Sequence, residues 1–125
     1  MEYTKTCWLR LLARTAAFTL LIASVVLLWR DNRILFLVTL AECLAALALW
    51  HDRFDLCFFL IIGGLGSVAE AVFVQAGVWR YANPTLLGIP LWFPCAFGTT
   101  GLIGGRMAHT LSALWEELSR TQSRS

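Results

Sequence analysis

The chain carries little charge for its size. Charged residues make up 14% of its 125 positions, whereas hydrophobic residues make up 58%. So few charges cannot solvate the surface of a water-soluble globule of this length. The scarcity of charge therefore argues against an ordinary soluble domain, and it indicates an integral membrane protein.

Several motifs that carry chemistry are also missing. The four cysteines are scattered without a C-x-x-C pair, which gives no sign of a disulfide framework or a thiolate metal site. His51 and His109 have no second ligand at helical spacing. A nucleotide-binding loop, a catalytic triad and a basic nucleic-acid surface are absent as well. The sequence thus predicts no metal, no cofactor and no nucleic-acid partner.

Long apolar runs are what the sequence does contain. Each of them approaches the roughly 20 residues needed to cross about 30 Å of hydrocarbon. They predict helices at about residues 9–29, 34–50, 54–78 and 86–108. Because the connections between them are short, neighbouring helices should run antiparallel. We expect an all-α fold, an antiparallel four-helix transmembrane bundle in one domain (1–118) that closes with a short amphipathic extension, followed by a polar tail (119–125).

The basic residues predict the orientation in the membrane. One side of the predicted bundle carries seven of them and the other side carries three. The side rich in arginine and lysine faces the cytoplasm in most membrane proteins, so both termini should be cytoplasmic. A bacterial inner membrane is the expected location. The seven are Lys5, Arg10, Arg14, Arg53, Arg106, Arg120 and Arg124, and the three are Arg30, Arg33 and Arg80.

Glycines at helical spacing predict close helix packing. Gly63 and Gly66 fall on one face of the third helix, and Gly98, Gly101 and Gly105 fall on one face of the fourth. Small residues let helix backbones approach each other in lipid, where apolar burial supplies no driving force. These faces could join helices within the bundle or between two copies of the chain.

Two carboxylates lie inside the predicted spans. Glu42 and Glu70 each fall about eight residues from the outer end of their helix, which places both roughly 12 Å below the outer surface and allows them to face each other. An ionisable residue inside a membrane is a functional candidate, here a catalytic acid or base, and the alternative is a protonated hydrogen-bond donor between helices. Arg14 either anchors the first helix at the interface or reaches inward to a carboxylate or a lipid phosphate.

The segment 70–94 concentrates the remaining unusual residues. Pro84 should end the third helix, and Pro90 and Pro94 should open or kink the start of the fourth. The region is either a mouth that leads to a ligand pocket or an ordinary interfacial turn with aromatic anchors. The candidate lipid or ligand pocket consists of Trp79, Arg80, Tyr81, Asn83 and Trp92.

The same segment resembles a known signature. Its pattern is similar to the E…G-x-W-x-Y…G-x-P-x-W motif of small uncharacterised bacterial multi-pass membrane proteins. More distantly, it is similar to membrane carotenoid-biosynthesis enzymes of the bacterioruberin-precursor hydratase and heterodimeric lycopene cyclase type. That resemblance implies that Glu70 protonates an isoprenoid double bond. The residues that carry the pattern are Glu70, Gly77, Trp79, Tyr81, Gly88, Pro90 and Trp92.

Three functions are compatible with these features. The first is a helix-packing, assembly or accessory subunit of a membrane complex, with a homo-oligomer or a larger complex as the assembled state. The second is a lipid- or isoprenoid-modifying enzyme that uses Glu70 as acid or base and takes a lipid or isoprenoid as its ligand. The third is a dimeric proton- or ion-coupled transporter in which Glu42 and Glu70 form a relay.

Overall fold

The computed structural model describes residues 1–125 and consists of helices without strands. The expectation of an all-α fold is confirmed. The chain connects the helices through two loops of three residues and one long loop, 76–92. The four helices are α1 (Glu2–Leu28), α2 (Asn32–Leu49), α3 (Arg53–Gln75) and α4 (Phe93–Arg124).

Aspartates start the two middle helices. The Asp31 side chain accepts hydrogen bonds from the backbone N–H groups of Arg33 and Ile34. Asp52 accepts from the backbone N–H of Asp55, and the Asp55 side chain accepts from that of Asp52, which forms a capping box. Such caps satisfy N–H groups that have no partner within the helix. The helices therefore begin directly after very short loops, as the sequence predicts.

The outer two helices differ from the predicted bounds. α1 begins at Glu2 instead of near residue 9, because no glycine or proline interrupts the polar residues that precede the apolar run. α4 continues to Arg124, so the predicted amphipathic extension and most of the predicted polar tail belong to this helix. Residues 86–108 were expected to form one helix, yet α4 begins only at Phe93.

A tight turn explains the late start of α4. Leu86 and Ile89 form an isolated antiparallel bridge, and Leu87 and Gly88 between them have φ angles of 51° and 83°. Positive φ at both central residues is typical of a type I′ turn and is incompatible with a right-handed helix. Ile89, Pro90 and Trp92 are buried, so this end of the loop is packed against the helices.

α4 lies at the centre of the protein. It packs against each of the other three helices, whereas α2 and α3 share almost no contact. Its first turn forms a hydrophobic core with residues from α1 and α2, and Leu114 near its other end packs against the start of α1. The core members are Leu21, Leu35, Ile89, Trp92, Phe93 and Ala96.

Glycines make the contact between α3 and α4 close. A Cβ added at Gly63 would lie 3.0 Å from the Cα of Gly98, and one added at Gly101 would lie 2.5 Å from the Cβ of Ile62. Gly66 lies under the ring of Phe97. Gly98 and Gly105 likewise lie against phenylalanines of α3. All five predicted packing glycines therefore belong to this one interface.

Three of the four helices are long and apolar enough to cross a membrane: α1, α2 and α3. The fourth predicted span does not meet that standard, because α4 carries glycines, threonines and Arg106 in its first half. That half is also where α4 is most buried, with Thr99, Leu102 and Ile103 almost inaccessible. Along this half α4 therefore contacts mainly the other three helices.

Candidate functional site

The face of α3 that meets α4 positions Glu70. Gly63, Gly66, Glu70 and Val74 recur at helical spacing, so their side chains lie along one face. The two glycines contact α4, and Glu70 follows one turn later. The carboxylate is half-buried there and lies next to the start of the long loop.

The turn that ends α3 directs the chain back past the Glu70 carboxylate. The N–H of Val78 bonds to the carbonyl of Phe73, and the N–H of Gly77 bonds to that of Val74. This is the Schellman pattern, in which Gly77 takes the left-handed conformation at φ 79° without steric cost. The turn brings the indole Nε1–H of Trp79 within 2.8 Å of the Glu70 carboxylate, to which it donates a hydrogen bond.

An aromatic cluster surrounds the other side of the site. The ring of Tyr81 lies edge-on to those of Trp92 and Phe93, at centroid distances of 6.4 and 6.0 Å. Burial and, secondarily, the nearby negative charge of Glu70 together raise the pKa of Tyr81 to about 12. Tyr81 is therefore a neutral phenol at physiological pH.

The two other predicted pocket residues lie apart from this cluster. Asn83 donates to the carbonyl of Trp29 at 2.9 Å and accepts from the side-chain amide of Asn32. It thereby ties the long loop to the loop between α1 and α2. Arg80 is exposed and forms no ion pair. The structure thus brings together Glu70, Trp79, Tyr81 and Trp92, and it leaves Arg80 and Asn83 outside.

Glu42 belongs to a different place in the fold. Its Oε1 accepts a hydrogen bond of 2.6 Å from Ser24 of α1, and its Oε2 is buried without a partner. Because α2 and α3 scarcely touch, Glu42 and Glu70 do not form a pair. Equal depth from the outer surface suggested that they could face each other, but α4 separates their helices.

The largest apolar groove lies elsewhere on α3. It has a volume of about 600 Å³ and is lined by Ser67, Ala71, Gln75 and the turn at Leu87, among others. Neither Glu70 nor any of the predicted pocket residues contributes to its wall. The carboxylate that could act as an acid is therefore not presented to the cavity that could hold an isoprenoid.

A second polar site, at the opposite end of the helices, was missed by the sequence analysis. Arg106 of α4 forms ion pairs with Asp55, which is almost fully buried, and with Asp52 at 3.1 Å. Its Nε also donates to Asp55 at 2.7 Å. The two aspartates that start α3 thus also fix α4. The only sequence signal is the D-x-x-D capping pattern, which by itself indicates a helix start.

Arg14 of α1 extends this network. One of its terminal nitrogens donates to the carbonyl of Arg106, at 3.2 Å, and to the hydroxyl of Thr110. Its guanidinium lies over the ring of Trp50, 5.9 Å from the centroid, in a cation–π contact. Arg14 therefore reaches inward and contacts a carbonyl, a hydroxyl and an aromatic face, and it has no carboxylate partner.

Together the fold and the two sites define a small all-α protein with three helices of membrane-spanning length and a polar site at each end. Neither site contains a group of three or more His, Cys, Asp or Glu side chains arranged to hold a metal ion. No protein-family model matches the chain, and no solved structure matches it.

Proposed function

We propose that the chain is an integral protein of a bacterial inner membrane, with four antiparallel helices and both termini in the cytoplasm. The contacts between loops support this arrangement. The α1–α2 loop and the α3–α4 loop bond to each other through Asn32 and Asn83. The α2–α3 loop instead meets Arg106 through Asp52. Loops that alternate between two ends, with most basic residues at one end, are typical of a multi-pass membrane protein.

Within that membrane, we propose a helix-packing role as a subunit that assembles with its own copies. The observation that carries this proposal is the bare outer face of α3. Only 6% of its most apolar stretch is buried, compared with 22% in α1 and in α2. α3 packs closely only on α4, so most of its surface is free to contact another helix.

Small residues recur along this free face. Cys57, Gly64 and Ala71 are spaced seven residues apart, which keeps them on one side of a helix over four turns. Cys57 and Gly64 are exposed, and Ala71 is partly exposed in the wall of the apolar groove. A Cβ added at Gly64 would meet nothing within 4 Å, so this glycine serves no contact inside the chain. A second copy of α3 presents the same stripe, which makes the face self-complementary around a two-fold axis.

The native Cys57 provides the test. We expect a mild thiol oxidant, applied to membranes that contain the full chain, to join two copies through Cys57, because this cysteine is exposed on the stripe. The dimer should disappear in Cys57→Ser and weaken strongly in Gly64→Leu. Ala69→Leu is the matched control, since Ala69 is exposed on the same helix but away from the stripe. Equal cross-linking in both Leu variants, or linkage only to a different protein, would refute assembly through this face.

The enzyme and transporter alternatives receive less support. A catalytic Glu70 needs access to a substrate, yet its carboxylate accepts the Trp79 indole N–H and lies outside the apolar groove. A relay needs Glu42 and Glu70 within reach of each other, and they lie on helices that scarcely touch. If Glu70 did transfer protons, Glu70→Gln would fold normally and lose function, since an amide does not titrate in the required range.

A further inference from the structure

A small polar pocket lies beside Arg106, at the end of the molecule that also holds the α2–α3 loop. Its volume is about 270 Å³. Polar side chains make up most of its wall, and they include three arginines, two aspartates and a histidine. These are Arg10, Arg14, Arg106, Asp52, Asp55 and His109.

Both aspartates of this pocket already have partners. Asp52 and Asp55 both pair with Arg106, and Asp55 accepts from two nitrogens of that guanidinium. They also accept the backbone N–H groups of the capping box. Three arginines against two aspartates leave one positive charge in excess. The pocket as a whole therefore favours an anion.

Arg14 carries the unused binding capacity. Its side chain is buried, with 7% of the residue exposed, but only one terminal nitrogen has partners within the protein. The remaining guanidinium N–H groups have no hydrogen-bond partner, and they are not fully buried. Because Arg14 lines the pocket, these groups are available to a ligand there. Arg10, one turn earlier, lines the same pocket and forms no hydrogen bond or ion pair in the protein.

We propose that this pocket binds a phosphate group through Arg14 and Arg10. A guanidinium presents parallel N–H donors at the spacing of two phosphate oxygens, and charge-assisted bonds of this kind are strong. The Trp50 ring, together with the contacts to Arg106 and Thr110, holds the Arg14 guanidinium in place before the anion arrives. Binding therefore requires little further ordering of that side chain.

The position of the pocket favours a lipid headgroup as the source of the phosphate. The 18 residues of α2 span about 27 Å, close to the thickness of the hydrocarbon core. The pocket lies at the Trp50 end of that helix, which is the level of the inner headgroups if the helices are inserted as proposed above. The lipid assignment rests on that insertion, whereas the phosphate chemistry does not. A free phosphate ion in the cytoplasm is the other source.

The experiment compares these sources on the full chain. The protein is reconstituted in nanodiscs of phosphatidylcholine with and without phosphatidylglycerol, and native mass spectrometry counts the anionic lipids that remain bound. Inorganic phosphate is titrated separately onto protein in a maltoside detergent, which carries no phosphate, with heat of binding as the readout. Both arms use wild type, Arg14→Gln and Arg10→Gln. Arg33→Gln, at the opposite end of the helices, is the control.

We expect wild type to retain phosphatidylglycerol, and both pocket variants to bind it about tenfold more weakly or worse, since one charge-assisted contact is lost. Arg33→Gln should bind like wild type. Arg10→Gln keeps the test valid if Arg14→Gln folds poorly, because Arg10 supports no contact in the fold. Binding of inorganic phosphate with the same dependence on Arg14 and Arg10 supports the pocket with a soluble source. Retention that is unchanged in both variants, together with no binding of inorganic phosphate, overturns the proposal. None of these variants alters the α3 stripe, so cross-linking through Cys57 fails or succeeds independently.

Discussion

The hydrogen bond between Trp79 and Glu70 gives the glutamate a structural task. We expect Glu70→Gln to unfold at nearly the wild-type temperature, because the amide oxygen still accepts the indole N–H. Glu70→Ala leaves that donor without a protein partner and should cost about 1 kcal/mol. Thermal unfolding in a mild detergent measures both. In a Trp79→Phe background the donor is already absent, so the difference between Gln and Ala should vanish; a difference that persists there would assign Glu70 another partner.

Asp55 holds the most buried charge among the ion pairs. Asp55→Asn keeps the shape of the side chain and an oxygen for the capping box, but it leaves Arg106 without its main counter-charge. Breaking a buried pair from one side typically costs about 3 kcal/mol. Asp52→Asn is the comparison, since asparagine caps helices as well as aspartate and the Asp52 side chain is 60% exposed. That change should cost about 1 kcal/mol or less. Similar losses in both variants, measured by unfolding in detergent, would mean that burial does not set the strength of these pairs.

At the scale of the helices, substitutions at two glycines of α4 distinguish the effect of helix packing on stability from the effect of helix propensity. Gly101→Ala would place a Cβ against Ile62, whose own Cβ lies close to the α3 backbone and cannot move away easily. We expect this change to destabilise the protein by about 1–3 kcal/mol. Gly104→Ala meets nothing within 4 Å and should be neutral or stabilise the protein by up to about 1 kcal/mol. If both alanines stabilise α4, the glycine interface is looser than the structure indicates.

The comparison of helices shows what a sequence pattern can and cannot determine. α2 and α3 follow the predicted bounds closely at their starts, because Asp31 and Asp52 cap helices that are mostly apolar. The predicted start of α4 was wrong by seven residues, since an apolar run containing Leu86 and Leu87 is compatible with either a helix or a tight turn. Only the positive φ angles of the turn decide between them.

The two sites also combine features that local sequence patterns predict with features that they do not. The pattern of small residues and one carboxylate predicted that Gly66 and Glu70 share a face, which follows from helical periodicity alone. The pairing of Asp55 with Arg106 joins positions 51 residues apart, and it depends on the register in which α3 and α4 pack. Nothing local in the sequence encodes that register. Glu42 and Glu70 illustrate the reverse error, because equal depth in two helices does not imply that the helices touch.

At the scale of the whole molecule, the proposed topology makes a direct prediction. In a version of the chain whose own cysteines are replaced, a cysteine introduced at Arg33 should react with a membrane-impermeant reagent added to intact cells. One introduced at Ser123 should react only after the cells are opened. The reason is the excess of basic residues on the side of the termini. Labelling at Ser123 in intact cells would reverse the orientation, and labelling at both positions would argue against membrane insertion as proposed.

The central position of α4 has a consequence for biogenesis. Ribosomes make chains from the N-terminus, so the helix that contacts all the others emerges after the other three. Until then α3 lacks the glycine-lined surface on which it packs, and Arg14, Asp52 and Asp55 lack Arg106 and Thr110. In the topology proposed above, the first three helices therefore reach the bilayer as a loosely associated intermediate, in which the charges of Asp52 and Asp55 are still exposed to water.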